Sequence, residues 1–290
     1  MPLENVKIIT AMVTPFNEDG TIAFHKLGEI VEHLLANKTD AIILAGTTGE
    51  SPTLTHEEEF MMFNEVIRLV DGRVPLICGV GTNDTRDSVE FVKKVSQVKG
   101  IAAGLAVVPY YNKPSQAGLL GHFSAIAEAS DLPIILYNVP GRTVVSLDVD
   151  TTLELAKHPN IIATKECGGL GAISELVEGA PDGFRVYTGN DDEAFASYCI
   201  GCDGVVSVAS HLFGNETAEM FAKVDAGEIK AAAAIQRKLL PKQNALFMYP
   251  SPAPVKAGLN DLGVEVGGLR LPLVALNDTQ RAEVLDIFKK

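Results

Sequence analysis

Residues 134–166 read IILYNVPGRTVVSLDVDTTLELAKHPNIIATKE and contain one complete repeat of the chain's architecture. The stretch opens on the apolar run Ile134–Tyr137 and closes on a second run, Ile161–Thr164. Strands that are buried on both faces of a parallel sheet have such continuous apolar runs. Between them, Val149–Ala156 has apolar residues at helical spacing. The pattern predicts a strand–helix–strand unit with a right-handed crossover.

The same unit recurs in both directions from this stretch. The other predicted strands are Ile8–Val13, Ala41–Ala45, Leu76–Val80, Leu105–Val108, Val186–Thr188 and Val205–Val208. The other predicted barrel helices are His25–Ala36, Thr55–Val70, Thr85–Val98, Gln116–Ala129, Asp191–Ile200 and Glu216–Val224. Eight such repeats fit either a closed barrel or an open doubly wound sheet. Because the repeats are near-regular and no G-x-G-x-x-G follows the first strand, the sequence favours a (β/α)8 TIM barrel.

The chain continues with more helix than a barrel needs. Lys230–Phe247, Val255–Leu262 and Thr279–Phe288 are further predicted helices. We therefore predict a barrel domain over residues 1–226 and a small C-terminal helical appendage over residues 227–290.

The composition excludes several classes of function. The net charge is −13, from 24 basic and 37 acidic residues, which predicts no binding to nucleic acid or to anionic membranes. Met1–Thr10 has no secretory pattern, and four cysteines in 290 residues do not indicate a disulfide scaffold. Cys199 and Cys202 lack a second ligand pair, and the histidines form no ligand set, so we predict no catalytic metal. A cytoplasmic protein is expected.

In a barrel of this kind the functional residues lie where strands end. Lys165 follows the run Ile161–Thr164, so its amine should emerge inside the mouth of the barrel. Burial disfavours the ammonium form of a lysine, and a neutral amine can attack a ketone; the alternative is a lysine that extends to solvent. Tyr137 ends the neighbouring strand and is either a proton shuttle or a core tyrosine.

Two loops carry groups suited to carboxylates. Thr47 and Thr48 lie between glycines, where their N–H groups and hydroxyls could hold a carboxylate, although a Gly-rich loop is equally a simple turn. Arg142 follows a Pro-Gly turn and is either a bidentate carboxylate ligand or a surface arginine.

Nearly the whole chain resembles the dihydrodipicolinate synthase family, and five motifs carry this resemblance. They are Gly46-Thr-Thr-Gly-Glu-Ser51, Pro109-Tyr-Tyr-Asn112, Tyr137-Asn-Val-Pro140 with Arg142-Thr143, Lys165-Glu166, and Pro254-Val-Lys-Ala-Gly-Leu259 with Leu271-Pro272. Each motif alone is weak, and the set is specific.

The resemblance implies Schiff-base chemistry on pyruvate. Lys165 would form an imine with the keto group, and Thr47 and Thr48 would hold the carboxylate. Tyr137, Thr48 and Tyr111 would form a proton relay, with Tyr111 reaching into the site of a neighbouring subunit. The resemblance thus implies a homotetramer built as a dimer of dimers, or at least a dimer.

The resemblance also implies a second substrate, L-aspartate 4-semialdehyde, whose carboxylate Arg142 would bind. Gly189, Asn190 and Val206 match positions that line the pocket. The reaction would be the first committed step of diaminopimelate and lysine biosynthesis, and it would need no cofactor besides the covalent imine.

The chain departs from the family pattern in two places. Val144 stands where the family often has glycine after Arg-Thr. The family's lysine-inhibition site maps onto Ser51, Pro52, His56, Glu59, Asn83, Asp87 and Tyr110. Because Glu59 replaces the usual His or Trp and Asp87 is shorter than the usual Glu, we hypothesise weak or absent inhibition by lysine.

Two rival functions remain open from the sequence. N-acetylneuraminate lyase and sugar-acid aldolases share the barrel, the lysine and the tyrosine, but they often have Ser-Thr at positions 47 and 48 and lack the arginine at 142. A non-catalytic binding protein on the same fold is the other alternative, and the joint presence of Lys165, Tyr137 and Tyr111 argues against it.

Overall fold

The computed structural model describes residues 3–290, in which eight strands close into a barrel. The strands are β1 (Ile8–Ala11), β2 (Ala41–Leu44), β3 (Leu76–Gly79), β4 (Ile101–Val107), β5 (Ile134–Asn138), β6 (Ile161–Glu166), β7 (Arg185–Thr188) and β8 (Gly204–Ser207). They follow one another around the barrel in chain order, with parallel pairing. The predicted (β/α)8 TIM barrel is confirmed.

Helices connect these strands and continue beyond the last one. Those of the described chain are α1 (Leu27–Ala36), α2 (His56–Val70), α3 (Thr85–Val95), α4 (Gln116–Glu128), α5 (Pro140–Thr143), α6 (Val149–Leu155), α7 (Leu170–Gly179), α8 (Ala194–Cys199), α9 (Ser210–Asp225), α10 (Ile229–Ala245), α11 (Ala253–Asp261) and α12 (Asp278–Phe288). None of the helices within residues 3–290 is long and apolar enough to cross a membrane.

Local sequence explains why these segments form where they do. Strands β1, β2, β5 and β8 are buried at every residue, as their continuous apolar runs predict. Helix α2 begins with a capping box: the Thr55 hydroxyl accepts from the Glu58 N–H, and the Glu58 carboxylate accepts from the Thr55 N–H. This pair satisfies two N–H groups that the helix start would otherwise leave unbonded.

Some element boundaries differ from those expected. Strand β4 begins at Ile101, four residues before the predicted start at Leu105. The sequence did not predict this earlier start because the intervening Ala-Ala-Gly has no large apolar side chain. Helix α9 begins at Ser210 rather than Glu216, directly after the eighth strand. Helix α7 was not predicted, and its N-cap residue is Gly169, which has no side chain to cap the helix.

The chain falls into two compact units. The first unit comprises the residues up to Lys7 together with Pro75–Val206, and the second unit comprises Ile8–Val74 together with Ser207–Lys290. The lysine, the tyrosines and the arginine singled out above belong to the first unit, and the two threonines belong to the second. The boundary at residue 226 stays a prediction.

Candidate active site

Lys165 and Tyr137 lie side by side at the carboxyl ends of neighbouring strands. They are direct partners in the β5–β6 register. The Lys165 Nζ lies 4.0 Å from the centroid of the Tyr137 ring, and the two residues are only 8% and 6% exposed. Because the lysine is buried, its amine does not extend into solvent as a surface lysine does.

Gly189 leaves room for the lysine side chain. A Cβ atom at this position would lie 2.7 Å from Cε of Lys165 and 2.4 Å from Sγ of Cys167, closer than packed atoms approach. The Gly189 N–H donates to the Glu166 carbonyl at 2.8 Å, which fixes the backbone beside β6. Gly189 therefore permits the close approach of β7 to Lys165.

Cys167 is the other nucleophilic group in this cluster. Burial raises the pKa of its thiol to about 11, although the charge of Lys165 acts in the opposite direction. The thiolate is the reactive form of cysteine, so this thiol is unreactive near neutral pH. Cys167 therefore does not compete with Lys165 as a nucleophile near neutral pH.

Arg142 lies on the four-residue helix α5, immediately after the end of β5. Its side chain is exposed, and among residues 3–290 it forms no ion pair. Its positive charge contributes to lowering the pKa of Cys167, against the dominant effect of burial. An unpaired guanidinium of this kind is available to bind an anionic ligand.

The other predicted pocket residues of the first unit differ in their setting. Asn190 donates from its side chain to Glu193 at 3.0 Å, and Val206 is buried in β8. Tyr111 is 87% exposed and has a positive φ of 74°, so the structure does not place its side chain against Lys165.

In the second unit, Thr47 and Thr48 lie on a tight loop after β2. Thr48 is buried and Thr47 is exposed. The Glu50 N–H donates to the Thr47 carbonyl at 3.1 Å, and the Thr14 hydroxyl donates to the Gly49 carbonyl at 2.6 Å. These bonds give the loop a defined conformation.

A buried ion pair anchors the same loop to the C-terminal part of the chain. Lys256 Nζ, on α11, lies 2.6 Å from Oε1 of Glu50, and both side chains are 1% exposed. The lysine also donates to the Gly268 carbonyl at 2.7 Å, and the Arg270 N–H donates to Oε2 of Glu50 at 3.0 Å. Burial lowers the pKa of Lys256 to about 8, against the opposing charge of Glu50.

The sequence analysis assigned no role to Glu50 and Lys256, nor to Asn138 and Glu166. All four residues stand inside motifs that carried the family resemblance, which was the available signal. A motif gives residue types at fixed spacing, but it does not say which buried polar groups meet.

The residues of the predicted lysine-inhibition site are also divided between the units. In the second unit, His56 Nδ1 lies 2.8 Å from the carboxylate of the buried Glu59. In the first unit, the Asn83 side chain donates to the Tyr110 carbonyl at 3.2 Å, and Asp87 is half-buried.

Residues 3–290 contain no cluster of three or more His, Cys, Asp or Glu side chains suited to a metal ion.

Comparison with known proteins places the chain in a family. Residues 4–290 match the model of the Dihydrodipicolinate synthetase family. The chain belongs to this family. It is 61% identical over 285 residues to a protein of Enterococcus faecalis named 4-hydroxy-tetrahydrodipicolinate synthase, with 98% of both chains covered.

Solved structures of the dihydrodipicolinate synthetase family have the same fold. The crystal structure of a dihydrodipicolinate synthase from Bacillus anthracis is similar with a TM-score of 0.96, 45% identity and 98% coverage of both chains. A dihydrodipicolinate synthase from Acinetobacter baumannii, described as complexed with pyruvate, is similar with a TM-score of 0.94, 38% identity and 98% coverage of both chains.

Proposed function

We propose that this protein is a 4-hydroxy-tetrahydrodipicolinate synthase, which condenses pyruvate with L-aspartate 4-semialdehyde. The observation that carries the proposal is the buried amine of Lys165, 4.0 Å from the Tyr137 ring centroid, in a chain of this family. Imine formation with a ketone requires an attacking amine and a group that transfers protons, and Lys165 and Tyr137 can supply these two functions.

The first half of the reaction builds a nucleophile from pyruvate. The amine of Lys165 attacks the keto carbon, and loss of water gives an imine. Tyr137 transfers the protons that these steps require, and Thr48 and Tyr111 complete the relay. Thr47 and Thr48 bind the carboxylate of pyruvate. Loss of a methyl proton then converts the imine into an enamine.

The second half forms the carbon–carbon bond and releases the enzyme. The enamine carbon attacks the aldehyde of aspartate semialdehyde, whose carboxylate is held by Arg142 in a bidentate contact. The amine of that substrate attacks the regenerated imine carbon, closes the ring and frees Lys165. Gly189, Asn190 and Val206 line the pocket. The protein's own groups supply every step, so no cofactor is required.

The setting of the enzyme is part of the same proposal. We place it in the cytoplasm, in the first committed step of diaminopimelate and lysine biosynthesis, as a homotetramer in which Tyr111 reaches the site of a neighbouring subunit. Lysine inhibition is weak or absent, because Glu59 is already paired with His56 and occupies the place of a larger ring. A lysine titration with strong inhibition at sub-millimolar concentration would contradict this.

A coupled turnover assay tests the proposed reaction. The protein is combined with pyruvate, aspartate semialdehyde, excess dihydrodipicolinate reductase and NADPH, and loss of NADPH should require both substrates. Borohydride added with pyruvate should attach mass to Lys165, and Lys165→Ala should abolish both signals. Turnover of sialic acid in place of the two-substrate reaction, or no adduct at all, would overturn the proposal.

A further inference from the structure

The loop that carries Arg142 is held in a strained conformation. Val144, directly after α5, has φ of +65°, in the left-handed region that a β-branched residue rarely adopts. Its side chain is 68% exposed, so burial of the valine does not offset the strain. A strained backbone of this kind persists only where surrounding contacts hold it in place.

Asn138, the last residue of β5, supplies the main buried contact that holds the loop. Its Oδ1 accepts from the Leu147 N–H at 2.9 Å, and its Nδ2 donates to the Leu147 carbonyl at 3.2 Å. Asn138 precedes the loop and Leu147 ends it, and both are buried. The two bonds therefore join the start and the end of the segment that contains Arg142. The Thr143 hydroxyl adds bonds within the segment, to the Val139 and Val145 carbonyls.

Glu166 fixes Asn138 in turn. The Asn138 Nδ2 donates to both carboxylate oxygens of Glu166, at 2.9 and 3.0 Å, and the carboxylate also accepts from the Gly168 N–H. The two residues are direct partners in the β5–β6 register, and each is 1% exposed. Because neighbouring side chains of a strand point to opposite faces, Glu166 and Lys165 lie on opposite sides of the sheet.

We propose that Asn138 and Glu166 are positioning residues that set the location of Arg142 for the carboxylate of the second substrate. This inference rests on the proposed function, in which Arg142 binds that substrate. Since the exposed guanidinium has no ion pair among residues 3–290, its position depends on the backbone of the loop. Small displacements of a substrate-positioning group cost large factors in rate.

The test is a steady-state comparison of the two substrates in the full-length enzyme. Asn138→Asp keeps the volume of the side chain, but it removes the donor and sets a second carboxylate against Glu166. We expect the KM for aspartate semialdehyde to rise about tenfold or more, since a buried charged partner is left unsatisfied and the loop is released. The KM for pyruvate and the rate of borohydride trapping at Lys165 should stay within about twofold, because Lys165 faces the other side of the sheet.

A donor–acceptor swap distinguishes positioning from general damage. In Asn138→Asp combined with Glu166→Gln, the Asp accepts from the Leu147 N–H and from the new Gln amide. The double variant should reverse at least half of the rise in the KM for aspartate semialdehyde, measured on a logarithmic scale. Glu166→Gln alone replaces one of the two oxygens that accept from Asn138 with an NH2 group. It is a milder test should Asn138→Asp fold poorly, and it should also raise the KM for aspartate semialdehyde.

Asn160→Asp is the matched control. Asn160 precedes β6 at its amino end, and its side chain donates to the Ala127, Ser130 and Leu132 carbonyls at 2.9 Å each. This variant should lose stability without a selective effect on aspartate semialdehyde. The inference is wrong if Asn138→Asp and Glu166→Gln leave that KM unchanged, or if both substrates are affected equally. A wild-type enzyme without two-substrate turnover would instead reject the proposed function.

Discussion

Single residues at the ends of β5, β6 and β7 determine what the Lys165 cluster can do. Lys165 supplies the buried amine, Tyr137 the ring beside it, and Gly189 the space that the lysine side chain fills. Cys167 also lies beside Gly189, yet burial raises the pKa of its thiol to about 11 and keeps the thiol protonated. The chemistry of the cluster therefore depends on the small size of Gly189 and the unreactive thiol of Cys167 as well as on Lys165.

Gly189→Ala should block imine formation without unfolding the protein. The added Cβ would meet Cε of Lys165 at 2.7 Å and Sγ of Cys167 at 2.4 Å, both on flexible side chains that can move aside. We expect borohydride trapping of pyruvate to slow by about 100-fold, since the amine is displaced from its productive position. The control is Gly121→Ala on α4, where a Cβ meets nothing within 4 Å and trapping should be unchanged. Near wild-type trapping in Gly189→Ala would show that the space is not needed.

At the scale of elements, helix α11 and the segment that follows it stabilise the threonine loop. Lys256 on α11 and the Arg270 N–H bind the two carboxylate oxygens of Glu50, which follows Thr48 and Gly49. The Arg270 guanidinium donates to Glu58 at the start of α2 and to the carbonyls of Gly20 and Thr53. Removing one member of the buried Glu50–Lys256 pair would leave an unpaired charge at a cost of about 3–5 kcal/mol.

Glu58→Gln should destabilise the protein in a pH-dependent way. The hydrogen bonds from Arg270 lower the pKa of Glu58 to about 2, from an ordinary value of 4.5. A lowered pKa gives stability that is present above pH 4.5 and is lost as the pH falls toward 2. Because the carboxylate is partly exposed, we expect the variant to lose about 1–2 kcal/mol of unfolding free energy at pH 7.

Urea unfolding of wild type and variant between pH 7 and pH 3.5 measures this difference, which should shrink at the acid end. The control is Glu65→Gln on the same helix, whose carboxylate pairs with the exposed Arg68. That variant should lose much less unfolding free energy than Glu58→Gln, because exposed pairs contribute little to stability. A difference for Glu58→Gln that stays constant with pH would contradict the assignment to its ionised form.

At the scale of the whole molecule, the proposed assembly rests on the exposed side chain of Tyr111. Tyr111 is 87% exposed with a positive φ of 74°, although it is part of the predicted proton relay. The side chains of Asn83 and Asn112 bond to backbone carbonyls of the opposite segment, which holds Tyr111 in this conformation. The proposal that Tyr111 acts in the site of a neighbouring copy is consistent with this outward position of its side chain.

Complementation between two inactive variants tests whether Tyr111 acts in a partner's site. Tyr111→Phe should lower turnover by about 100-fold, as the loss of a proton-transfer group does. When Tyr111→Phe and Lys165→Ala chains are co-expressed, a two-fold symmetric dimer gives each mixed pair one complete site. Turnover should then recover to about a quarter of wild type, since half of the pairs are mixed. No recovery in verified mixed dimers would mean that Tyr111 acts within its own chain.

The sequence alone was enough to predict the barrel and the burial of Lys165. Continuous apolar runs with helical segments between them predict buried parallel strands, and the position of Lys165 directly after such a run predicts a buried amine, because both follow from local order along the chain. The helices that escaped prediction are α5, which spans only four residues, and α7, whose N-cap residue is Gly169. A four-residue helix is too short to show an apolar repeat, and a glycine N-cap contributes no side-chain hydrogen bond.

Only the tertiary structure decided how the loops of the site are held. The Glu50–Lys256 pair joins residues 206 positions apart, and the Asn138–Glu166 bonds depend on the register of two strands. The strain at Val144 likewise depends on a φ angle that the sequence does not specify. Residue spacing fixes which groups are available, but buried hydrogen bonds form only where folding brings a donor and an acceptor together away from water.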